Sequence, residues 1–340
     1  MKSIIKKSAI ALIAALPLFT ACQSEPELGS LLHPEEQTHS DSKVFINEIA
    51  APTNTAQATV VKTPVDLVIP EDTYEFYVRL STPVASDVVV TVAEDAAAAA
   101  AAAPAYSNKD NKYNGLPEGC LTFENASVTI AAGQCISAEP IKFKVADSEA
   151  IRNFSDKAIA AVKIVGIKSA SNVALAKDHN TYYTLLNKKV TNFKDFSETL
   201  LQKTKLTSAD LTYTFEGEDY TAKLMDTYTS TWADMYNGPK PIICEFKSPQ
   251  PLAGVAYQYG YDVPYGPYTI EVLTSDDGEN WVSQTDGILE TGYTDAVVCI
   301  NFYSAITCKY VKFIPHTCYY GFNFGDEYNT PCVGELYMFK

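Results

Sequence analysis

Arginine is nearly absent from this chain. Of 340 residues only Arg79 and Arg152 carry a guanidinium, so the C-terminal half has no bidentate clamp for a carboxylate or phosphate. Positive charge is scarce altogether: Lys+Arg 26 stand against Asp+Glu 41, for a formal net charge of −15. Such a balance repels nucleic acid and anionic head groups, and no basic patch offsets it, which excludes nucleic acid as a partner. Histidine is confined to positions 33, 39, 179 and 316, and no two cysteines stand at C-x-x-C spacing, so zinc and haem lack a ligand set. No HExxH, GxxxxGK or nucleophile-elbow serine occurs. The acid pair Asp326-Glu327 sits at adjacent positions of one loop, whereas glycoside hydrolysis needs two carboxyls facing each other across a bond. The chain is therefore read as non-catalytic.

The N-terminal apolar run, Ala9 to Phe19 behind Lys2, Lys6 and Lys7, is too short to span a bilayer and reads as a signal peptide over 1–21. It ends in Leu18-Phe19-Thr20-Ala21-Cys22, which resembles a bacterial lipobox and marks Cys22 for acylation. The plainer alternative is a secretory signal with an incidental cysteine. Gln23-Ser24-Glu25-Pro26-Glu27 is similar to the surface-export signal of Bacteroidota lipoproteins. Residues 22–42, rich in Ser, Glu, Pro and His without periodicity, read as a flexible tether. The expected address is the outer membrane, lipid-anchored and facing the exterior.

What is abundant is β-pattern. Tyr74, Phe76, Val78 and Leu80 alternate with Glu75, Tyr77 and Arg79, Ile141, Phe143 and Val145 alternate with Lys142 and Lys144, and Val88 to Val92 is a continuous apolar strand. Residues 43–190 read as an immunoglobulin-like β-sandwich. Eight alanines, Ala96 to Ala103, follow Glu94-Asp95 and precede Pro104, which predicts a short helix; a low-complexity linker is the alternative. Phe193, Phe196, Leu200 and Leu201 fall at helical spacing, predicting a linker helix within 191–204. Strands return at Ile242–Phe246, Tyr268–Leu273, Val297–Phe302, Tyr310–Ile314 and Glu335–Phe339, with a hairpin turn at Asp276-Asp277-Gly278 ahead of Trp281. The fold class is all-β in two sandwiches. Beyond Cys22, Cys120, Cys135, Cys244, Cys299, Cys308, Cys318 and Cys332 are odd in number, so at least one is unpaired. Cys244 and Cys299 sit in apolar runs and read as buried hydrophobes, while Cys318 and Cys332 flank a long loop and form the best disulfide pair.

The strings YTIEVLTSDDGENW (268 to 281), KYVKFIP (309 to 315) and VGELYMF (333 to 339) resemble the discoidin, or coagulation factor V/VIII type C, family. That family is a β-sandwich jelly roll and includes the family 32 carbohydrate-binding modules. The resemblance covers 205–340. Tyr113, Leu116-Pro117-Glu118, VTIAAGQ (128 to 134) and Pro140-Ile141 are similar to an N-terminal sandwich domain of unknown function on Bacteroidota surface lipoproteins, often encoded beside glycan-import machinery. This implies a galactose-binding-like module, and glycan-import machinery as a partner in polysaccharide utilization.

All of the 22 tyrosines except Tyr74, Tyr77, Tyr106, Tyr113, Tyr182 and Tyr183 lie from position 213 onward, with both tryptophans. Aromatic faces stack on the apolar faces of sugar rings, while polar neighbours bind hydroxyls. Trp281, Tyr310 and Phe313 lie in strand-like runs and read as core. Loop aromatics cluster at Trp232–Tyr236, at 257 to 268 and at 316 to 332, loops equivalent to the ligand-binding end of the family. Tyr259, Tyr261, Tyr265, Phe322 and Phe324 are expected to stack, with Asp262, His316, Asn323 and Asp326 as hydroxyl partners. Without the arginine that galactose-binding relatives place in the pocket, a neutral glycan is the expected ligand; an adhesin or scaffold surface is the alternative use of the same aromatics. The family also implies one structural calcium in a segment like Leu224-Met225-Asp226 to Thr231-Trp232, held by Asp226, Thr231 and Glu335, although Tyr228 stands where a second aspartate often occurs.

Overall fold

A computed structural model describes residues 41–46, 54–236 and 238–340. The signal peptide, Cys22 and all but the last two residues of the 22–42 tether lie outside the described residues. Two separate hydrophobic cores form, one from residues between Val44 and Leu186 and one from residues between Leu206 and Met338.

In the first core the strand Lys157–Ser169 is central, antiparallel to Thr181–Val190 on one side and to Val88–Glu94 on the other. Thr181–Val190 also runs parallel to Thr55–Lys62. Two three-stranded sheets complete this β-sandwich. The Phe76 ring stacks on Tyr182 at 4.8 Å and meets Phe143 edge-on at 6.2 Å, joining the layers. The alternating run 74–80 is two strands. Tyr74–Phe76 pairs with Ile141–Val145 and Val78–Leu80 with Ser42–Ile46, so the chain changes sheet at Tyr77 while Phe76, Val78 and Leu80 stay buried.

The alanines form helix α1 (Ala96–Tyr106), capped by the Asp95 carboxylate, which accepts from the Ala98 N–H at 2.8 Å and pairs with Lys163. The helix continues past Pro104 rather than stopping there. Ala99 and Ala103 bury against Ile159, Ala161 and Leu185. A Cβ on Gly115 would lie 2.6 Å from Ala100 Cα, so the poly-alanine face is what lets this helix approach the neighbouring backbone. A second short helix, α2 (Glu149–Asn153), buries Ile151 in the main core of this first sandwich.

The junction differs from expectation. The helix predicted within 191–204 is present only as a 3-10 turn at Glu198–Gln202; Phe193–Asp195 is a strand, paired with Val298–Cys318. Phe193 and Leu200 turn inward while Phe196 and Leu201 remain 40% and 44% exposed, so the four residues never share one face. Asn192, fully buried, fixes this path. Its Nδ2 donates to Gln284 Oε1 at 2.9 Å and to the Ser304 carbonyl at 3.0 Å, and its Oδ1 accepts from the Ser304 N–H at 3.0 Å.

The second sandwich is built on two long antiparallel strands, Ile242–Tyr259 and Val298–Cys318. Ile242–Glu245 pairs with residues 310–313, and 250–257 with residues 298–308, with irregularities between Glu245 and Gln250 and between Leu252 and Gly254. The ladder folds over at these breaks, so that Tyr257 from one limb meets Phe313 from the other at 5.2 Å inside the core. Pro267–Ser275 and Cys332–Phe339 extend the two limbs. Phe313 is core as expected, whereas Trp281 and Tyr310 are half-buried beneath Lys312 and Lys309. Among the described residues all cysteines are free. This corrects the Cys318–Cys332 pairing: the Cys318 thiol is occupied with the Gly321 N–H and the Tyr328 carbonyl, the Cys332 thiol with the Thr330 carbonyl.

Asn192→Ala leaves one buried and two half-buried polar groups without their partner at once and is expected to lower unfolding stability by about 2 kcal/mol, read from urea denaturation. The exposed Leu201→Ala is expected to change it by under about 0.5 kcal/mol.

Candidate functional site

Because the ladder folds over, the loops leaving Tyr259 and Cys318 meet at one end of the sandwich. There the chain forms helix α3 (Tyr319–Phe324), followed by a 3-10 turn at Asp326–Tyr328. Asn329 pins this segment: its Oδ1 accepts from the Cys318 N–H at 3.0 Å and its Nδ2 donates to the His316 carbonyl at 2.9 Å. Gly321 must lack a side chain, since a Cβ would come within 2.4 Å of Asn329 Cβ. Opposite, Asp262 caps the turn Val263–Tyr265 by accepting from the Val263 N–H.

These loops bring aromatic rings into one continuous ridge. Trp232 contacts Tyr261 at 5.4 Å, Tyr261 contacts Tyr265 at 5.4 Å, and Tyr265 contacts Tyr320 at 5.3 Å. From Tyr320 the contacts pass to Phe324 at 5.9 Å and Tyr319 at 6.2 Å, and from Tyr319 to Tyr293 at 4.8 Å and Tyr268 at 6.0 Å. Tyr268 ends against Phe322 at 4.7 Å. Tyr261 and Phe324 are each 63% exposed, Tyr293 55% and Phe322 51%. Tyr261 also holds a left-handed backbone, φ 65°, a conformation that costs free energy in a residue with a side chain and concentrates at functional sites.

Of the residues expected to stack, Tyr261, Tyr265, Phe322 and Phe324 belong to the ridge. Tyr259 is half-buried and lines a small recess beneath it with Tyr268, Tyr293 and Tyr319. The expected hydroxyl partners scatter. Asp262 is engaged as a cap, and Asn323 Nδ2 donates to the Tyr319 carbonyl within α3. His316 and Asp326 lie apart, in a cleft of about 690 Å³ shared with Tyr236, Pro239, Ile288 and Glu327. The His316 Nε2 atom is buried there without a hydrogen bond, 3.7 Å from Glu271. Missed as individual residues are Trp232, Tyr268, Tyr319 and Tyr320, all inside loops singled out for their aromatics, and Tyr293, a lone tyrosine whose loop carried no signal.

Beside the ridge lies an acidic pair. Thr231 Oγ1 donates to Asp226 Oδ2 at 2.7 Å, which holds the Asp226 carboxyl below its usual range. Glu335 is fully buried, and its carboxyl oxygens make no hydrogen bond of good geometry, with the Tyr337 hydroxyl and the Asp226 carboxyl as their polar neighbours. Burial first, and then the Asp226 carboxylate beside it, push its pKa up to about 7. Two orphaned oxygens in the interior are a costly arrangement that a hard cation with oxygen ligands relieves. Among the described residues no group of three His, Cys, Asp or Glu gathers, so such a cation would also draw on Thr231 and backbone carbonyls. The segment supports the ridge directly: the Thr229 carbonyl accepts from the Tyr261 N–H at 3.1 Å, and Gly260 and Gly334 pass each other against Trp232 and Thr229.

Residues 202–327 match the F5/8 type C domain family, and residues 40–171 match a family described as an N-terminal domain. Similar solved structures include a two-domain protein of unknown function from Bacteroides fragilis, 17% identical, covering 88% of this chain and 95% of that one with a TM-score of 0.42. A family 32 carbohydrate-binding module from Clostridium perfringens in complex with galactose is 14% identical over 41% of this chain and 99% of that one, TM-score 0.33. Another Clostridium perfringens module, in complex with GalNAc-β-1,3-galactose, is 17% identical over 40% and 100%, TM-score 0.33. No curated protein matches the chain.

A Cβ on Gly260 would sit 2.4 Å from Trp232 Cβ. Gly260→Ala is therefore expected to displace Trp232 and shift its fluorescence toward the red, read in a Trp281→Phe background where Trp232 is the sole emitter.

Proposed function

We propose that this chain is a non-catalytic glycan-binding protein, held by a lipid on Cys22 at the outer membrane and facing the exterior. It captures a neutral oligo- or polysaccharide in support of glycan uptake, with import machinery as its neighbour. The observation that carries this reading is the ridge: contiguous, solvent-facing aromatic rings at the loop end of a rigid sandwich, with no arginine in the domain. Burying such rings in a core stabilises a fold, and leaving them in water does not. Stacking on sugar C–H faces uses both their apolar surface and their hydroxyl groups. The F5/8 type C match over residues 202–327 supports the same reading. An acidic, arginine-free surface disfavours uronic and sialic acids, which leaves neutral sugars.

A calcium ion fits the Asp226, Thr231 and Glu335 oxygens, as their charge and the orphaned Glu335 carboxyl argue. When bound it would supply charge neutralisation and hold the 226–232 loop against Tyr261; its role is structural.

The glycan reading is tested by an array of neutral plant, yeast and mucin-type glycans probed with the full chain at high density. Selective signal is expected, reduced about tenfold by Tyr261→Ala or Phe322→Ala with an unchanged circular dichroism spectrum. A blank array with folded protein would favour a protein partner instead. Calcium saturation is expected to raise the melting temperature by several degrees, as ligand at about 100 times its Kd adds about 2.7 kcal/mol, and Glu335→Gln should abolish the response. An unchanged melting temperature with and without chelator would refute the ion.

A further inference from the structure

Taking the glycan reading as its basis, we infer that the ridge receives a linear run of several neutral sugar units laid along it, so that its substrate class is the interior of a polysaccharide chain and not a chain end. The first reason is extent. From Trp232 through Tyr261, Tyr265, Tyr320, Tyr319 and Tyr268 to Phe322, neighbouring centroids are 4.7 to 6.2 Å apart. Tyr261 and Phe322 share no ring contact and have four rings between them, and one pyranose covers about one ring, so a ligand that stacks on both is several units long.

The second reason is the lack of depth. A site for a single terminal sugar encloses most of its ligand. The recess among Tyr259, Tyr268, Tyr293 and Tyr319 holds about 10 Å³, room for roughly one water. Adjacent rings of the ridge are tilted or edge-on, with interplanar angles between 39° and 84°, so none of these pairs can clamp a sugar between parallel faces. Each exposed ring is a separate platform.

The third reason is the polar complement. Among the described residues Tyr268 alone of the ridge tyrosines commits its hydroxyl to a protein partner, Glu290 Oε1 at 2.7 Å. The hydroxyls of Tyr261, Tyr265, Tyr293, Tyr319 and Tyr320 remain for the ligand. Such dispersed, uncharged donors suit repeated hydroxyls along a chain better than one distinctive terminal group. The place where a chain end would fit is the larger cleft of His316 and Asp326.

The test is calorimetric titration of the full chain with cello-, manno-, xylo- and laminari-oligosaccharides of one, two, four and six units, alongside the array. In the series that binds, affinity is expected to rise at least about thirtyfold from one unit to six. Tyr261→Ala and Phe322→Ala, far apart along the ridge, should each weaken the hexasaccharide about tenfold, and Asp326→Ala should leave it unchanged. Equal affinity for the disaccharide and the hexasaccharide, lost in Asp326→Ala, would overturn the inference and keep the glycan reading. No heat at any length together with a blank array would remove both.

Discussion

The folded ladder between Ile242–Tyr259 and Val298–Cys318 is the constraint on which the second half of the molecule depends. A straight pair of such strands would place Tyr259 and Cys318 at opposite extremes, since antiparallel partners run head to tail. Folding the pair over at Glu245–Gly254 stacks its limbs face to face around Tyr257 and Phe313 and returns both ends to one rim. Every ring of the ridge hangs from that rim or from a loop resting on it. The glycine at the bend shows how little slack the fold has: a Cβ on Gly254 would lie 2.4 Å from the Ile300 carbonyl oxygen.

From the rim outward, order is passed through a series of contacts. Glu335, in the last strand, stands behind the 226–232 loop; that loop bears Trp232 and receives the Tyr261 N–H; Tyr261 bears on Tyr265, and Tyr265 on α3. A buried carboxylate at the bottom of this series and an exposed aromatic face at its top are two ends of one construction. The strain at Tyr261 fits this arrangement, because a left-handed tyrosine persists only where its neighbours over-determine it.

Strands were legible from the sequence where one face meets core and the other meets water, as in Ile141–Val145 and Ile242–Phe246, and where a short apolar run is buried on both faces, as in Glu335–Phe339. Alternation does not report a change of partner, so the break at Tyr77 was invisible, as was the joining of residues 297–302 and 310–314 into one strand. Helical spacing misled at Phe193–Leu201 because strand pairing and the burial of Asn192 outweigh a local periodicity of four apolar residues. For the site, density of loop aromatics located the end of the sandwich where the rings gather, and four of the five residues expected to stack lie on the ridge. The polar partners were not legible. Whether an Asp or Asn in a loop faces ligand or caps its own backbone depends on turn geometry, and Asp262 and Asn323 are both spent on their own turns.

The junction has a mechanical consequence. The Thr191 N–H bonds to the Lys62 carbonyl in the first domain and the Asn192 N–H to the Gln284 carbonyl in the second, so consecutive residues belong to two frameworks with no slack between them. The next residues, Phe193–Asp195, lie in the sheet as a strand. A pull applied at the rim and resisted by the first domain would pass through that strand. Its cross-strand hydrogen bonds stand perpendicular to the pull, so they share the load in shear instead of parting one after another, and the joint acts as a tow-bar rather than a hinge.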